Sequence, residues 1–385
     1  MNRNVPVTQV DGPAPGGLGA TPLFIPGREL SRRFYWEAVR PLLDAYFPDL
    51  PHAAAPIGPG SDVLGFDTEM STDHDWYPKV VLFLRDRDAG LEEPIKQVLA
   101  ECLPHQFLGF PVDSVPVAGE PRTHVMASRS EGPVLHNIIP MTLRAFARKW
   151  LAWEQDQPLE PADWLTFPSQ VLRSVAAGAV HYDGTGELTA FRQQLTWYPH
   201  DLWLYLLAAG WQRIGQEEHL MPRAGFVGDE LGSSLIGARL VRDAMSLCFL
   251  MEQQYAPYPK WFGSGFRQLA CAADLTPIFW RAQQAGTWQV REGALAEAYE
   301  YLARWHNRLG ITPTLPETVS GFYNRPFQVI HGDRFANAIR EQIADPEVQK
   351  IAERGLLGSI DQFSDSTDLR SDIAWRRLLR RLYTG

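Results

Sequence analysis

The feature that most constrains the fold is a change of sequence pattern near residue 155. Before it, an amphipathic helical pattern at Glu29–Phe47 precedes an unbroken apolar run, Val80–Leu84, which predicts a strand covered on both faces. Beyond it, apolar residues recur at helical spacing in segments separated by Gly and Pro: Pro168–Val180, Leu188–Trp197, Asp201–Ile214, Leu231–Tyr255, Ala294–Leu309 and Phe335–Ile343. The sequence therefore predicts an α+β fold, in which a mixed sheet with flanking helices is followed by a mainly α-helical C-terminal domain.

The length of 385 residues exceeds the size to which a single hydrophobic core usually grows, so we expect two domains. Residues 1–27 are rich in Gly and Pro without a sustained period, and they predict a flexible N-terminal arm. Residues 28–155 form the predicted sheet domain. Residues 156–385 form the predicted helical domain, which we place on the substrate side, and a short Pro- and acid-rich link joins the two.

The composition narrows the class of partner. A formal net charge of −9 disfavours broad binding to nucleic acid or to an anionic membrane. The apolar stretches are too short to cross a bilayer and the N-terminus lacks the order of a signal peptide, so we expect a cytoplasmic protein. The cysteines Cys102, Cys248 and Cys271 lie far apart without metal-ligand spacing, which favours buried thiols. Thirteen Trp residues predict a large core or an aromatic-lined pocket.

Two short polar motifs precede the Val80–Leu84 strand. Gly60 and Ser61 follow an apolar strand candidate, and a small residue there lets backbone amides approach a phosphate. Asp73 and Asp75 are two residues apart, so on an extended segment their side chains would leave from the same face. Paired carboxylates suit Mg²⁺. Taken singly, a D-x-D triplet is most often a solvated turn, but the combination in this order is more specific.

This order of motifs resembles the signature of the polymerase-β-like nucleotidyltransferases, over about residues 50–85. More particularly, Gly60–Leu84 and Pro168–Asp183 together resemble a bacterial family of unknown function in which a nucleotidyltransferase-like domain precedes a helical domain. The segment Tyr258–Gly263 is similar to that family as well.

The resemblance implies a role for each residue of the two motifs. Asp73 and Asp75 would bind Mg²⁺, and Gly60 and Ser61 would lie at the β- and γ-phosphates of ATP or another nucleoside triphosphate. The metal would stabilise charge while a nucleoside monophosphate moves to a small-molecule or protein acceptor. The resemblance therefore implies a nucleotide and an acceptor as partners, and the acidic net charge makes a nucleic-acid acceptor unexpected.

Two lysines are further candidates for binding the nucleotide. Lys79 follows the aspartate motif and could reach the same site. Lys260 stands between Tyr258 and Trp261, whose rings could form a rigid wall beside a phosphate or an adenine ring. A solvated lysine in a loop between helices explains the same residues equally well.

The expected third carboxylate is missing from the sequence pattern. The superfamily's transferases use an acid on a later neighbouring strand, but the best candidate strand, Leu135–Ile139, contains none. Asp113, Glu120 and Glu131 lie nearby, outside any convincing strand. Either one of these acids is recruited from a loop, or His136 acts as the base, or the transfer chemistry has been lost or altered.

Three functions therefore remain open at the level of sequence. The first is a Mg²⁺-dependent nucleotidyltransferase. The second is a catalytically degenerate protein that binds a nucleotide or another ligand in the old cleft. The third is the same fold recruited for a different reaction in small-molecule biosynthesis, with the Trp-rich helical half supplying an apolar pocket.

Overall fold

The computed structural model describes residues 22–385, except the side chains of Pro121 and Arg122. Most of the predicted arm, residues 1–21, lies outside the described residues. The helices of the first half are α1 (Gly27–Phe34), α2 (Arg40–Tyr46), α3 (Ser61–Leu64), α4 (Glu92–Cys102) and α5 (Leu143–Leu151). A π-helical turn, Tyr35–Val39, joins α1 to α2, and 3-10 helices span Glu69–Asp73 and Asp86–Leu91. The strands are β1 (His52–Ala55), β2 (Lys79–Leu84), β3 (Gln106–Phe107), β4 (Phe110–Pro111), β5 (Ser114–Val117), β6 (Glu120–Met126) and β7 (Asn137–Thr142).

The central sheet has four strands in the order β7-β2-β1-β8, where β8 is Tyr182–Asp183. Strands β2 and β7 are parallel, whereas β1 pairs antiparallel with both β2 and β8. Lys79 pairs with Asn137 in the register, so both strands begin at the same edge of the sheet. Because β8 follows residue 156, the sheet is completed by a strand from the second half of the chain. Pro140 is accommodated because β7 is an edge strand.

The two faces of the sheet belong to two hydrophobic cores. Alternate residues such as Ala54, Leu82 and Ile138 pack in the smaller core, which includes α1 and α4. Their neighbours Ala53 and Phe83 face the other way and join the larger core of the helical half. The larger core therefore continues across the predicted boundary near residue 155, and the helical half covers one face of the sheet.

The second half is mainly helical, as predicted. Its helices are α6 (Pro161–Thr166), α7 (Ser169–Ala176), α8 (Glu187–Gln194), α9 (His200–Glu217), α10 (Leu220–Phe226), α11 (Glu230–Met251), α12 (Pro259–Phe266), α13 (Ala272–Gln284), α14 (Trp288–Leu309), α15 (Gly332–Arg340), α16 (Pro346–Arg354), α17 (Ile360–Phe363), α18 (Thr367–Ser371) and α19 (Arg376–Thr384). A hairpin of β9 (Ser320–Phe322) and β10 (Arg325–Val329) contacts α14. Within residues 22–385 no helix combines the length and the apolar character that a bilayer crossing requires. The α+β class is confirmed by this arrangement.

Candidate functional site

A cleft of about 290 Å³ opens where β2 and β7 begin, on the sheet face that the helical half covers. Gly60 and Val63 contribute to it from the motif before β2. Its polar side chains are Asp75, Tyr77, Lys79, His124, Asn137 and Lys149, and its apolar surface includes Ile139, Met141, Phe146 and Trp150. A concave site with a few polar groups on an apolar lining is the usual form of a small-molecule site.

Lys79 is held in place by a buried acid. Its Nζ lies 3.2 Å from Oδ2 of Asp62, whose side chain is only 5% exposed, and it donates to the backbone oxygen of Asp75 at 2.7 Å. The ammonium group also lies 5.2 Å from the ring centre of Tyr77. Lys79 is the first residue of β2, so the strand delivers a fixed cation to the edge of the cleft.

Glycine is the amino acid that fits both the backbone conformation and the space at position 60. The φ of Gly60, +144°, is rare for residues with a side chain, and a Cβ atom built there would lie 2.2 Å from Oδ1 of Asp62. The same Cβ would lie 3.6 Å from Nζ of Lys79. Glycine therefore allows the backbone to approach the Asp62–Lys79 pair. Ser61, the first residue of α3, is half-buried beside it but is not part of the cleft lining.

The two aspartates do not share an extended segment, so the geometry expected from their spacing is wrong. Asp73 ends the 3-10 helix, whose start is fixed by reciprocal hydrogen bonds between Thr68 and Ser71. Asp75 adopts φ of +52°, a left-handed conformation that Asp tolerates better than most residues. The expectation that both side chains leave from one face required an extended strand, and the structure has a capped helical turn there instead.

Asp75 lines the cleft and Asp73 does not. Oδ1 of Asp75 accepts from the backbone nitrogen of His124 at 2.9 Å, and the backbone nitrogen of Asp75 donates to the oxygen of His124 at 2.7 Å. The Asp73 side chain is 63% exposed and pairs with the ring of His74 at 3.0 Å. Slight burial raises the pKa of Asp73, but the hydrogen bonds and charge of His74 outweigh it and leave the pKa below its ordinary value.

His136 is turned away from the cleft. Its Nδ1 accepts from the backbone nitrogen of Ile138 at 3.2 Å, and its Nε2 lies 3.1 Å from the backbone oxygen of Lys96 on α4. With Nδ1 accepting, Nε2 carries the proton and donates. Burial lowers the pKa of His136, against the opposing effect of the bond to Lys96. Both ring nitrogens are thus occupied by backbone groups, and Asn137, the next residue, is the one that lines the cleft.

Lys260 lies on α12, outside the cleft lining. It is exposed, and its Nζ is 5.1 Å from the ring centre of Trp261. The Trp261 ring in turn stacks on Phe66, just after α3, with centroids 5.4 Å apart and an interplanar angle of 18°. The aromatic segment around Lys260 therefore joins the helical half to the loop that follows the Gly-Ser motif.

The cleft contains polar residues that the sequence pattern did not identify as site residues. They are Tyr77, His124, Asn137 and Lys149. One of them, Lys149, could have been found from the sequence, because α5 follows β7 directly and carries three basic residues. Two of these, Arg144 and Arg148, pair with acids. Lys149 forms no such ion pair among the described residues. Burial and the charges of Asp75 and Asp62 raise the pKa of Tyr77, so its hydroxyl stays protonated.

The residues fit a magnesium ion only as part of a nucleotide complex. No group of three or more His, Cys, Asp or Glu side chains with ligand geometry exists in the described part of the chain. Mg²⁺ needs only one or two carboxylates when phosphates and water complete its shell. Asp75 on the cleft lining would supply one such carboxylate, whereas Asp73 lies outside the lining and pairs with His74.

Comparisons with known proteins give limited information on the family. Residues 164–262 match the profile of a family described as "Domain of unknown function (DUF4037)". No curated protein matches the chain. Among solved structures, a nucleotidyltransferase-like protein from Exiguobacterium sibiricum 255-15 is similar over 74% of this chain and 78% of that chain, at 10% identity and a TM-score of 0.30.

Proposed function

We propose that the cleft binds a nucleoside triphosphate and that the protein transfers its nucleotidyl group to a small-molecule or protein acceptor. The observation that carries the proposal is that Gly60 and Asp75, two residues of the motif that resembles nucleotidyltransferases, line one cleft with Lys79, which follows that motif. The motif is also built as phosphate binding would require. Its glycine leaves the backbone open beside a lysine that an acid holds in position.

The cleft offers complementary surfaces for the two ends of a nucleotide. Lys149 on α5 would neutralise part of the phosphate charge, and Lys79, held by Asp62, would donate to a phosphate oxygen. Tyr77 and Trp150 present flat rings that suit a base. Asn137 adds hydrogen-bonding groups for the sugar or a phosphate oxygen. ATP is the first nucleotide to test, since the sequence motif does not distinguish the base.

Asp75 would hold Mg²⁺ together with the phosphates. The ion would supply charge neutralisation at the transferring phosphorus. The proton of the acceptor needs a separate group. Because His136 is occupied by backbone groups, we assign that role to His124, a residue of the cleft lining whose backbone is hydrogen-bonded to Asp75.

A second function, nucleotide binding without transfer, is favoured by one specific observation. Among the residues that the structure describes, Asp75 is the sole carboxylate on the cleft lining, and the residues that β7 contributes are Asn137, Ile139 and Met141. The neighbouring strand therefore carries no acid where the transferases would use one. Such a protein would act as a sensor or an interaction subunit that responds to nucleotide.

Two measurements separate these functions. Calorimetric titration with ATP, with and without Mg²⁺, tests binding; we expect Lys149→Gln to weaken it about fivefold to tenfold, while Lys350→Gln, an exposed lysine on α16, leaves it unchanged. Pyrophosphate release, together with a mass shift of the protein or of supplied acceptors, tests transfer. Binding with release supports the enzyme, and binding without release supports the sensor. A folded protein that binds no nucleoside triphosphate excludes both.

A further inference from the structure

The helical half contains a second cavity that shares no lining residue with the cleft. It has two adjoining chambers of about 270 Å³ and about 340 Å³. The smaller one has room for roughly nine waters. Four residues line both chambers: Arg242, Ser246, Asp361 and Gln362. A ligand of this cavity would therefore lie at a different place from the nucleotide that we propose for the cleft.

The smaller chamber is lined by closely packed aromatic rings. The centroids of Trp197, Tyr198 and Tyr255 lie 4.8 to 5.1 Å apart, and Phe249 lies 5.4 Å from Phe262. All five residues line the chamber, which we call the aromatic chamber. Such rings suit a flat apolar group, which can stack against one ring and meet the edge of another.

Hydrogen bonds hold this lining in place without a ligand. The hydroxyl of Tyr255 donates to the backbone oxygen of Leu195 at 3.2 Å, and its own backbone oxygen accepts from Arg173 at 2.7 Å. Ser169 donates through its hydroxyl to Ala256 and through its backbone nitrogen to Asp361. A chamber fixed in this way is preorganised, which reduces the ordering that binding would require.

The polar end of the aromatic chamber is formed by arginines that each pair with an acid. Its charged residues are Arg242 and Arg370 against Asp361. Asp361 is already engaged, because Arg370 pairs with it at 2.5 Å and the backbone nitrogen of Ser169 donates to it at 2.6 Å. Arg242 pairs with Asp365, but its side chain remains 42% exposed. This exposed pair contributes little stability, so an incoming anion can take the place of Asp365 at Arg242.

The adjoining chamber has no excess of either charge, because Arg213, Arg239 and Arg242 stand against Asp243, Asp361 and Asp365. Across both chambers four arginines face three aspartates, and behind the lining Glu217 pairs with Arg239. Burial raises the pKa of Asp243, against the opposing charge of Arg213. A cationic ligand, which aromatic cages otherwise bind well, would have to displace an arginine from its carboxylate here.

We propose that this cavity binds a small planar aromatic anion, with its ring in the aromatic chamber and its carboxylate or similar group at Arg242. The site is independent of nucleotide binding in the cleft.

Three matched probes test the chemistry of the ligand. They are 3-phenylpropionate, 3-phenylpropanol and 3-phenylpropylamine, which share a ring and differ in charge. Trp197 in the lining gives a fluorescence signal that these probes do not obscure. We expect the anion to bind about tenfold more tightly than the amine, with the alcohol between them.

Two variants, each with a matched control, test the location. Ser246→Leu adds bulk to a residue that lines both chambers and should weaken 3-phenylpropionate about tenfold or more, whereas Ser234→Leu on the same helix should not. Arg242→Gln should reduce the preference for the anion over the alcohol about fivefold, whereas Arg281→Gln, which breaks another exposed ion pair, should not.

The proposal is overturned if none of the three probes binds, if the amine binds most tightly, or if Ser246→Leu leaves binding unchanged. Titration of Ser246→Leu with ATP shows whether the substitution also affects binding in the cleft. An unchanged ATP affinity together with lost 3-phenylpropionate binding supports two independent sites. Loss of both ATP and 3-phenylpropionate binding means that Ser246→Leu has disturbed the fold. The anion preference of Arg242→Gln, a substitution at a partly exposed residue, then tests the proposal.

Discussion

Replacing Lys79 with methionine removes the ammonium group that neutralises Asp62 and keeps most of the aliphatic chain. Asp62 is 4% exposed, and both of its carboxylate oxygens lie within 3.3 Å of Nζ. Breaking a buried pair by removing one partner typically costs about 3–5 kcal/mol, because the remaining charge is left without compensation. The Lys79 side chain is 19% exposed, so water reaches the pair and we expect the lower end, about 3 kcal/mol.

The assay is urea denaturation followed by tryptophan fluorescence at neutral pH. Lys79→Met, Asp62→Asn and the double variant form a double-mutant cycle that isolates the interaction between the two side chains. We expect the double variant to be more stable than Lys79→Met by about 1–2 kcal/mol, because neutralising Asp62 removes the unpaired charge. Equal stability of those two variants, or a loss below about 0.5 kcal/mol for Lys79→Met, would refute the reasoning.

Other substitutions test the remaining parts of the account. Gly60→Ala should lower the free energy of unfolding by about 1–3 kcal/mol, because its φ of +144° is strained and the new Cβ would clash with Asp62; Gly90→Ala, where a Cβ meets nothing within 4 Å, is the control in the same denaturation assay. His136→Gln should lower stability but leave ATP affinity unchanged, since its ring bonds only backbone groups, and a loss of affinity at unchanged stability would contradict this. Burial raises the pKa of Glu218 from 4.5 to about 7, so the stability that its neutral form contributes is present below pH 4.5 and is lost as the pH rises through 7. Between pH 5 and pH 8 the wild type should lose about 2.5 kcal/mol more than Glu218→Gln, and parallel pH profiles would be the contrary result.

The sequence predicted the fold class because periodicity reports which face of each element is buried. The apolar run Val80–Leu84 became a strand covered on both faces, and the pattern at Asp201–Ile214 lies within α9. The two-residue strand Tyr182–Asp183 could not be predicted, since a segment that short has no measurable period and pairs with β1 only through tertiary contacts. The larger core, which joins both halves of the chain, also depends on tertiary contacts and could not be predicted from local patterns.

The site was predicted less completely, for reasons of local geometry. Gly60, Asp75 and Lys79 share a cleft because they flank β2, which the sequence did predict. Asp73 does not lie on an extended segment as predicted, because the hydrogen bonds between Thr68 and Ser71 stabilise a helical turn there. His136 was named because an imidazole can act as a base, but strand alternation does not say which face forms the cleft, and Asn137 lines it instead.

The most direct test of the central claim is an experimental structure of the protein with Mg²⁺ and a non-hydrolysable ATP analogue. The account predicts phosphates beside Gly60 and Lys79, with the metal on the carboxylate of Asp75 and Lys149 turned toward the nucleotide. A nucleotide bound elsewhere, or a cleft that stays empty at saturating analogue while the protein remains folded, would contradict it.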